Sequence, residues 1–156
     1  MTTAGEALGL PADALEHASL AFVTALRAIA TKEGNGLMSS FVYRARSGER
    51  EVVRVDDEAE VAAMTMEATA AGRSWASAAE RVWRYVEQEE TVLVVEFWGA
   101  GMQRPATVLQ PFRRNDETRA CERLGPMLLR VNGDVVEANA ARETLAAIDA
   151  GVRDAS

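Results

Sequence analysis

The hydrophobic period of this chain alternates between helical and strand-like stretches, and that alternation constrains its fold more than any other property. From Asp13 to Lys32 the apolar residues keep a helical period. Leu15, Phe22 and Ile29 fall on one line, Ala18, Val23, Leu26 and Ala30 fill the same side, and Glu16, Thr24, Arg27 and Thr31 largely avoid it. The pattern predicts an amphipathic helix, with capping-box spacing at Asp13 and Glu16 and a stop at Gly34-Asn35-Gly36. From Leu37 to Val55 the period becomes that of a strand. A turn at Ser47-Gly48 sets Arg46 opposite Glu49, Arg44 opposite Glu51 and Val42 opposite Val53, so one face carries opposite charges and the other Phe41, Tyr43, Ala45 and Val52. A one-residue slip would set Arg46 against Arg50, so charge specifies the register. The charged face is expected to point to solvent.

Asp56 to Gly72 reads as a second helix, with Asp57 and Glu60 at its start, Val61, Met64, Ala68 and Ala71 as its apolar stripe and Gly72 as its end. Three strand-like runs follow: Arg81 to Gln88, Thr91 to Trp98 and Ala106 to Arg113. A tight turn at Glu89-Glu90 would place Val82, Val86, Leu93, Val95 and Phe97 on one face, and Arg81, Trp83, Tyr85, Val94, Glu96 and Trp98 on the other. Asn115 to Arg123 is polar and reads as a loop. Asn132-Gly133 between apolar runs signals a short hairpin, and Glu137 to Arg153 a closing helix with Ala141, Leu145, Ile148 and Val152 as its stripe. The fold class is α+β: helix, hairpin, helix, three-stranded meander, short hairpin, helix. One mostly antiparallel sheet is expected, with the helices on the face of Phe41, Tyr43, Val82, Val95 and Phe97. At 16.9 kDa the chain has the size of a single domain over residues 1–156, with residues 1–10 expected to be flexible.

Composition narrows the chemistry. There is one histidine, His17, one cysteine, Cys121, and one lysine, Lys32, so the residues that most often do acid-base, covalent or metal chemistry are scarce. His17 has no second histidine or cysteine near it, and no metal is expected there. The carboxylates at Asp56, Asp57, Glu58 and Glu60 answer the positive end of a helix and need no ion. Cys121 stands among Arg119, Glu122 and Arg123 without a nameable base and reads as a free structural thiol. Gly99-Ala100-Gly101-Met102-Gln103-Arg104 fails as a dinucleotide fingerprint, because Arg104 and Pro105 stand where a glycine and a helix start are required. No cofactor is expected. A net charge of −7 disfavours nucleic acid, no apolar run approaches a bilayer span, and Met1 to Gly9 lacks the basic start of a secretory signal. A cytoplasmic location follows as the expectation, and the arginine- and alanine-rich composition reads as the codon bias of a high-GC bacterial genome.

Two functional readings remain. Glu96 interrupts the most hydrophobic strand, and on that reading it shares a face with Arg81, Trp83, Tyr85 and Trp98. Three large aromatics are costly to leave in water, so the first reading is a non-catalytic protein-interaction domain, homodimeric or partner-binding, that uses this face. Small acidic secretion chaperones and immunity-type proteins share its size, charge and element order. The second is a small-molecule-binding or hydrolytic domain, with Glu96 as base or ligand anchor and Arg81 or Arg84 as anion clamp. A flat aromatic surface favours the first, and a pocket of a few hundred Å³ around Glu96 the second.

Overall fold

A computed structural model describes residues 10–31, 40–46, 49–55, 57–85, 88–114, 117, 121–125 and 127–155. In chain order the elements are α1 (Ala12–Thr31), β1 (Ser40–Arg46), β2 (Glu49–Val55), α2 (Glu58–Ala70), β3 (Trp75–Tyr85), β4 (Gln88–Trp98), β5 (Ala106–Arg114), β6 (Cys121–Arg123), β7 (Leu128–Val131), β8 (Asp134–Val135) and α3 (Ala138–Ala155). The fold is α+β. The strands form one antiparallel sheet in the order β2-β1-β3-β4-β5-β7-β8, with β6 paired to the far end of β5.

The β1–β2 hairpin has the register that its charges specify: Arg46 faces Glu49, Arg44 faces Glu51 and Val42 faces Val53. Its turn, like the stop at residues 34–36, lies outside the described residues. Of the charged pairs expected to face solvent, the side chains of Arg44, Arg46 and Glu49 lie outside the described residues; Glu51 is partly buried, and Val42 and Val55 on the same face are buried. Val52, on the face taken as apolar, is 49% exposed. Tyr43 reaches α1 through a 2.5 Å hydrogen bond between its hydroxyl and Thr24.

The long β3–β4 hairpin differs from the sequence reading in register. Glu89 and Glu90, read as its turn, lie within β4, Tyr85 pairs with Gln88, and β3 begins at Trp75 instead of Arg81. Trp75 pairs with Trp98, Ser77 with Glu96, Arg81 with Val92 and Trp83 with Glu90. The displacement is an even number of residues, so every side chain keeps its expected face. On one face Ala76, Ala78, Leu93, Val95, Phe97, Ala106, Val108 and Phe112 form a core with α1, which is covered in turn by α3. Ala76 and Ala78 meet a row of buried alanines on α1, Ala14, Ala18, Ala21 and Ala25, and small residues on both surfaces let the backbones approach. Leu10, taken as part of a flexible terminus, is buried in this core.

The expectation that all helices share that face is also corrected. α2 packs on the opposite face, against β1, β2 and β3. Asp57 caps it by accepting a 2.9 Å hydrogen bond from the Ala59 amide. At its other end Gly72, with φ of +69°, closes a Schellman motif in which the Arg73 amide donates to Ala68 and the Gly72 amide to Thr69. Asn132 and Gly133, both at positive φ, make the hairpin turn between β7 and β8. The stretch read as a loop from Asn115 to Arg123 contributes β6, which extends the β5 edge.

Candidate functional site

α2 lies antiparallel over β3, with Glu58 near Arg81 at one end and Ala68 against Trp75 and Trp98 at the other. Between these two anchors the helix and the sheet leave a cleft of about 290 Å³. Ala79 of β3 and Val94 of β4, paired across the strands, line its sheet side. Val61, Ala62, Thr65 and Met66 line its helix side, and Met66 is 71% exposed at the rim. Glu96 and Ser77, directly opposite one another, lie toward the tryptophan end.

Both tryptophans at that end are structural. Trp75 donates its indole N–H to Thr69 Oγ1 at 2.9 Å and Trp98 donates to the Met102 carbonyl at 2.9 Å, so two buried rings keep their polar handles satisfied. Trp98 is 7% exposed and packs with Ala68 and Met102.

The predicted grouping of Arg81, Trp83, Tyr85, Glu96 and Trp98 is therefore separated along the strands. Trp98 faces Trp75, Glu96 faces Ser77, Arg81 faces Val92, Trp83 faces Glu90 and Tyr85 faces Gln88. At about 3.3 Å per residue, the eight positions from Trp75 to Trp83 span about 26 Å. The side chains of Trp83, Arg84 and Tyr85 lie outside the described residues. Glu96 and Arg81 do line a common cleft, at opposite ends of it.

Their chemistry differs. Arg81 is engaged: one terminal nitrogen donates to Glu58 Oε1 at 2.5 Å and the other to the Glu80 carbonyl at 3.1 Å. The charge of the guanidinium is thus answered at the start of α2, where a carboxylate also suits the helix dipole. Glu96 makes no hydrogen bond or ion pair among the described residues. Burial raises its pKa above the ordinary carboxylate value, because the low-polarity surroundings penalise the ionised form. An uncompensated carboxyl in an apolar cleft is poised to bind a donor or to exchange a proton.

The sequence missed the wall formed by α2, because nothing in the helix pattern says which side of the sheet it will take. Of the acidic cluster at its start, Asp57 caps the helix and Glu58 binds Arg81, while Asp56 lies outside the described residues. Among the described residues no group of three or more His, Cys, Asp or Glu could hold a metal. His17 is buried in α1. Its Nδ1 donates to the Asp13 carbonyl at 2.8 Å and its Nε2 is left without a hydrogen-bond partner. Cys121 pairs with Arg114 in the backbone of β6, and its side chain lies outside the described residues. Comparison with protein-family models, curated proteins and solved structures returned no match. No helix among the described residues is long and apolar enough to cross a membrane.

Proposed function

We propose that this chain is a small-molecule-binding domain whose site is the cleft between α2 and strands β3 and β4. The observation that carries this reading is the cleft itself: about 290 Å³ of mostly apolar space with Glu96 in its wall. That volume lies at the small end of the range for ligand sites, and an apolar lining with few polar groups is their usual composition. A cytoplasmic location and a single-domain organisation belong to the same proposal. Hydrolysis has less support, because catalysis by Glu96 would need a second group to hold or polarise a substrate, and Arg81 is occupied by Glu58.

Amide NMR spectra recorded during a fragment screen test the reading. Binders are expected to shift the amides of Thr65, Ala79, Val94 and Glu96, and Ala79→Leu, which fills the cleft, is expected to weaken them by about tenfold or more. Binders that map elsewhere and ignore Ala79→Leu would refute it.

A second reading, a self-associating interaction domain, draws on the half of the same sheet face that α2 leaves uncovered. There Leu128 and Val135, on neighbouring strands β7 and β8, are 43% and 60% exposed. Their replacement by Ser is expected to convert a dimer to a monomer in light scattering. A wild type that is monomeric at high concentration removes this reading.

A further inference from the structure

Building on the cleft as a ligand site, we infer that its ligand is a compact primary ammonium with an apolar body, seated with its nitrogen between Glu96 and Ser77. The two residues are direct cross-strand partners on the cleft side of the sheet, so their side chains start about 5 Å apart and project the same way. A carboxylate offers only acceptors and a serine hydroxyl can accept as well. Neither makes a hydrogen bond or ion pair among the described residues. An ammonium brings three donors and one positive charge to this pair, and supplies the counterion that the cleft otherwise denies Glu96.

The rest of the cleft rejects the alternatives. Arg81, the one cation among the described residues on its wall, is held by Glu58 some four residues along β3 from Ser77, about 13 Å away along the strand. A carboxylate ligand seated at Glu96 would bring two negative charges together, with no cation among the described lining residues at that end. An uncharged ligand of the same shape would fill the apolar stretch along Ala79, Val94 and Val61 and leave Glu96 unanswered. Discrimination thus comes from charge, while the apolar wall supplies contact area. The exclusion extends to bulk: the small volume admits a single ring or a short branched chain beside the nitrogen, and nothing the size of a nucleotide.

Three ligands of matched shape test this on the full chain: cyclohexylamine, cyclohexanol and cyclohexanecarboxylate, each titrated while the cleft amides are followed by NMR at neutral pH. The ammonium is expected to bind about tenfold more tightly than the alcohol, the effect of one charge-assisted contact, and the carboxylate least. Glu96→Gln, which keeps shape and removes charge, is expected to bring ammonium and alcohol to within about twofold of each other. Equal binding of ammonium and alcohol by the wild type, or preference for the carboxylate, would overturn the assignment of a cation and leave the cleft standing as a site. An ammonium preference that survives Glu96→Gln would also overturn it. If none of the three shifts the cleft amides, while fragments binding elsewhere do give shifts, the cleft reading fails together with the inference.

Discussion

Glu96 is the residue at which folding and binding pull in different directions. Its carboxyl has a higher pKa in the folded chain than in the unfolded one, because burial penalises its charge. The folded state therefore holds that proton more tightly. Between the unfolded value of about 4.3 and the raised folded value the native state binds more protons, so stability falls as pH rises; above the folded value the whole cost is present. Glu96→Gln is expected to be more stable than the wild type at about pH 8, with the gap shrinking toward about pH 4. Denaturant midpoints across that range measure it. A gap that instead grows as the pH is lowered would mean that a cation stabilises the carboxylate in solution. Trp98, two residues on, is a buried packing residue, and its satisfied indole N–H sets it apart from the carboxyl that lines the cleft.

At the scale of elements, the contact between α1 and α3 is the most exacting. Ser19 of α1 donates to the Ile148 carbonyl of α3 at 2.9 Å, and a Cβ built on Gly151 would meet the Ser19 Oγ at 2.5 Å and its Cβ at 2.8 Å. Alanine is ordinarily preferred to glycine inside a helix by about 0.5–1 kcal/mol, whereas overpacking costs about 1–3 kcal/mol. Gly151→Ala is thus expected to destabilise the protein by about 1–2 kcal/mol net, and to do so less in a Ser19→Gly background. Urea unfolding of both variants checks it; a stabilised Gly151→Ala would show that the helices separate at this point. The same scale shows what the sequence could reveal. The β1–β2 register was legible because its partners carry opposite charges. The β3–β4 register was not, because after Trp75 the run Ala76-Ser77-Ala78-Ala79 lacks the branched and aromatic side chains that announce a strand. Ala76 and Ala78 answer to α1, a neighbour distant in sequence. Side-chain parity survived the slip, so Glu96 and Arg81 were placed on the correct face, while Trp83, expected across from Glu96, pairs with Glu90 instead.

Across the whole molecule, one sheet is covered from both sides by helices of unequal commitment. α1 and α3 together seal one face, while α2 covers part of the other and leaves the cleft beside itself. The α+β class and the element order were legible from periodicity, but the side chosen by α2 was not, since its apolar stripe is weak and only Thr65 and Ala68 are buried. The sealed side converges on Phe22. Its ring lies 5.3 Å from the Arg123 guanidinium, which also donates from Nε to Gln110 at 3.0 Å and from a terminal nitrogen to Asp149 at 2.6 Å, joining α1, β5, β6 and α3. Phe22→Ala is expected to cost about 3–5 kcal/mol, since it opens a cavity and removes the surface on which Arg123 rests. Equilibrium unfolding measures this, and a loss below about 1 kcal/mol would place Phe22 outside the core.

The burial of α1 has a consequence for synthesis. It is the first of the described elements to leave the ribosome, yet the surfaces that enclose it belong to β3, β4 and, last of all, α3. A nascent chain that has completed α1 but not α3 presents Phe22, Val23 and a row of alanines to its surroundings for as long as the remaining residues take to appear. Such a chain completes its core only once α3 has emerged, and until then it depends on whatever shields that helix.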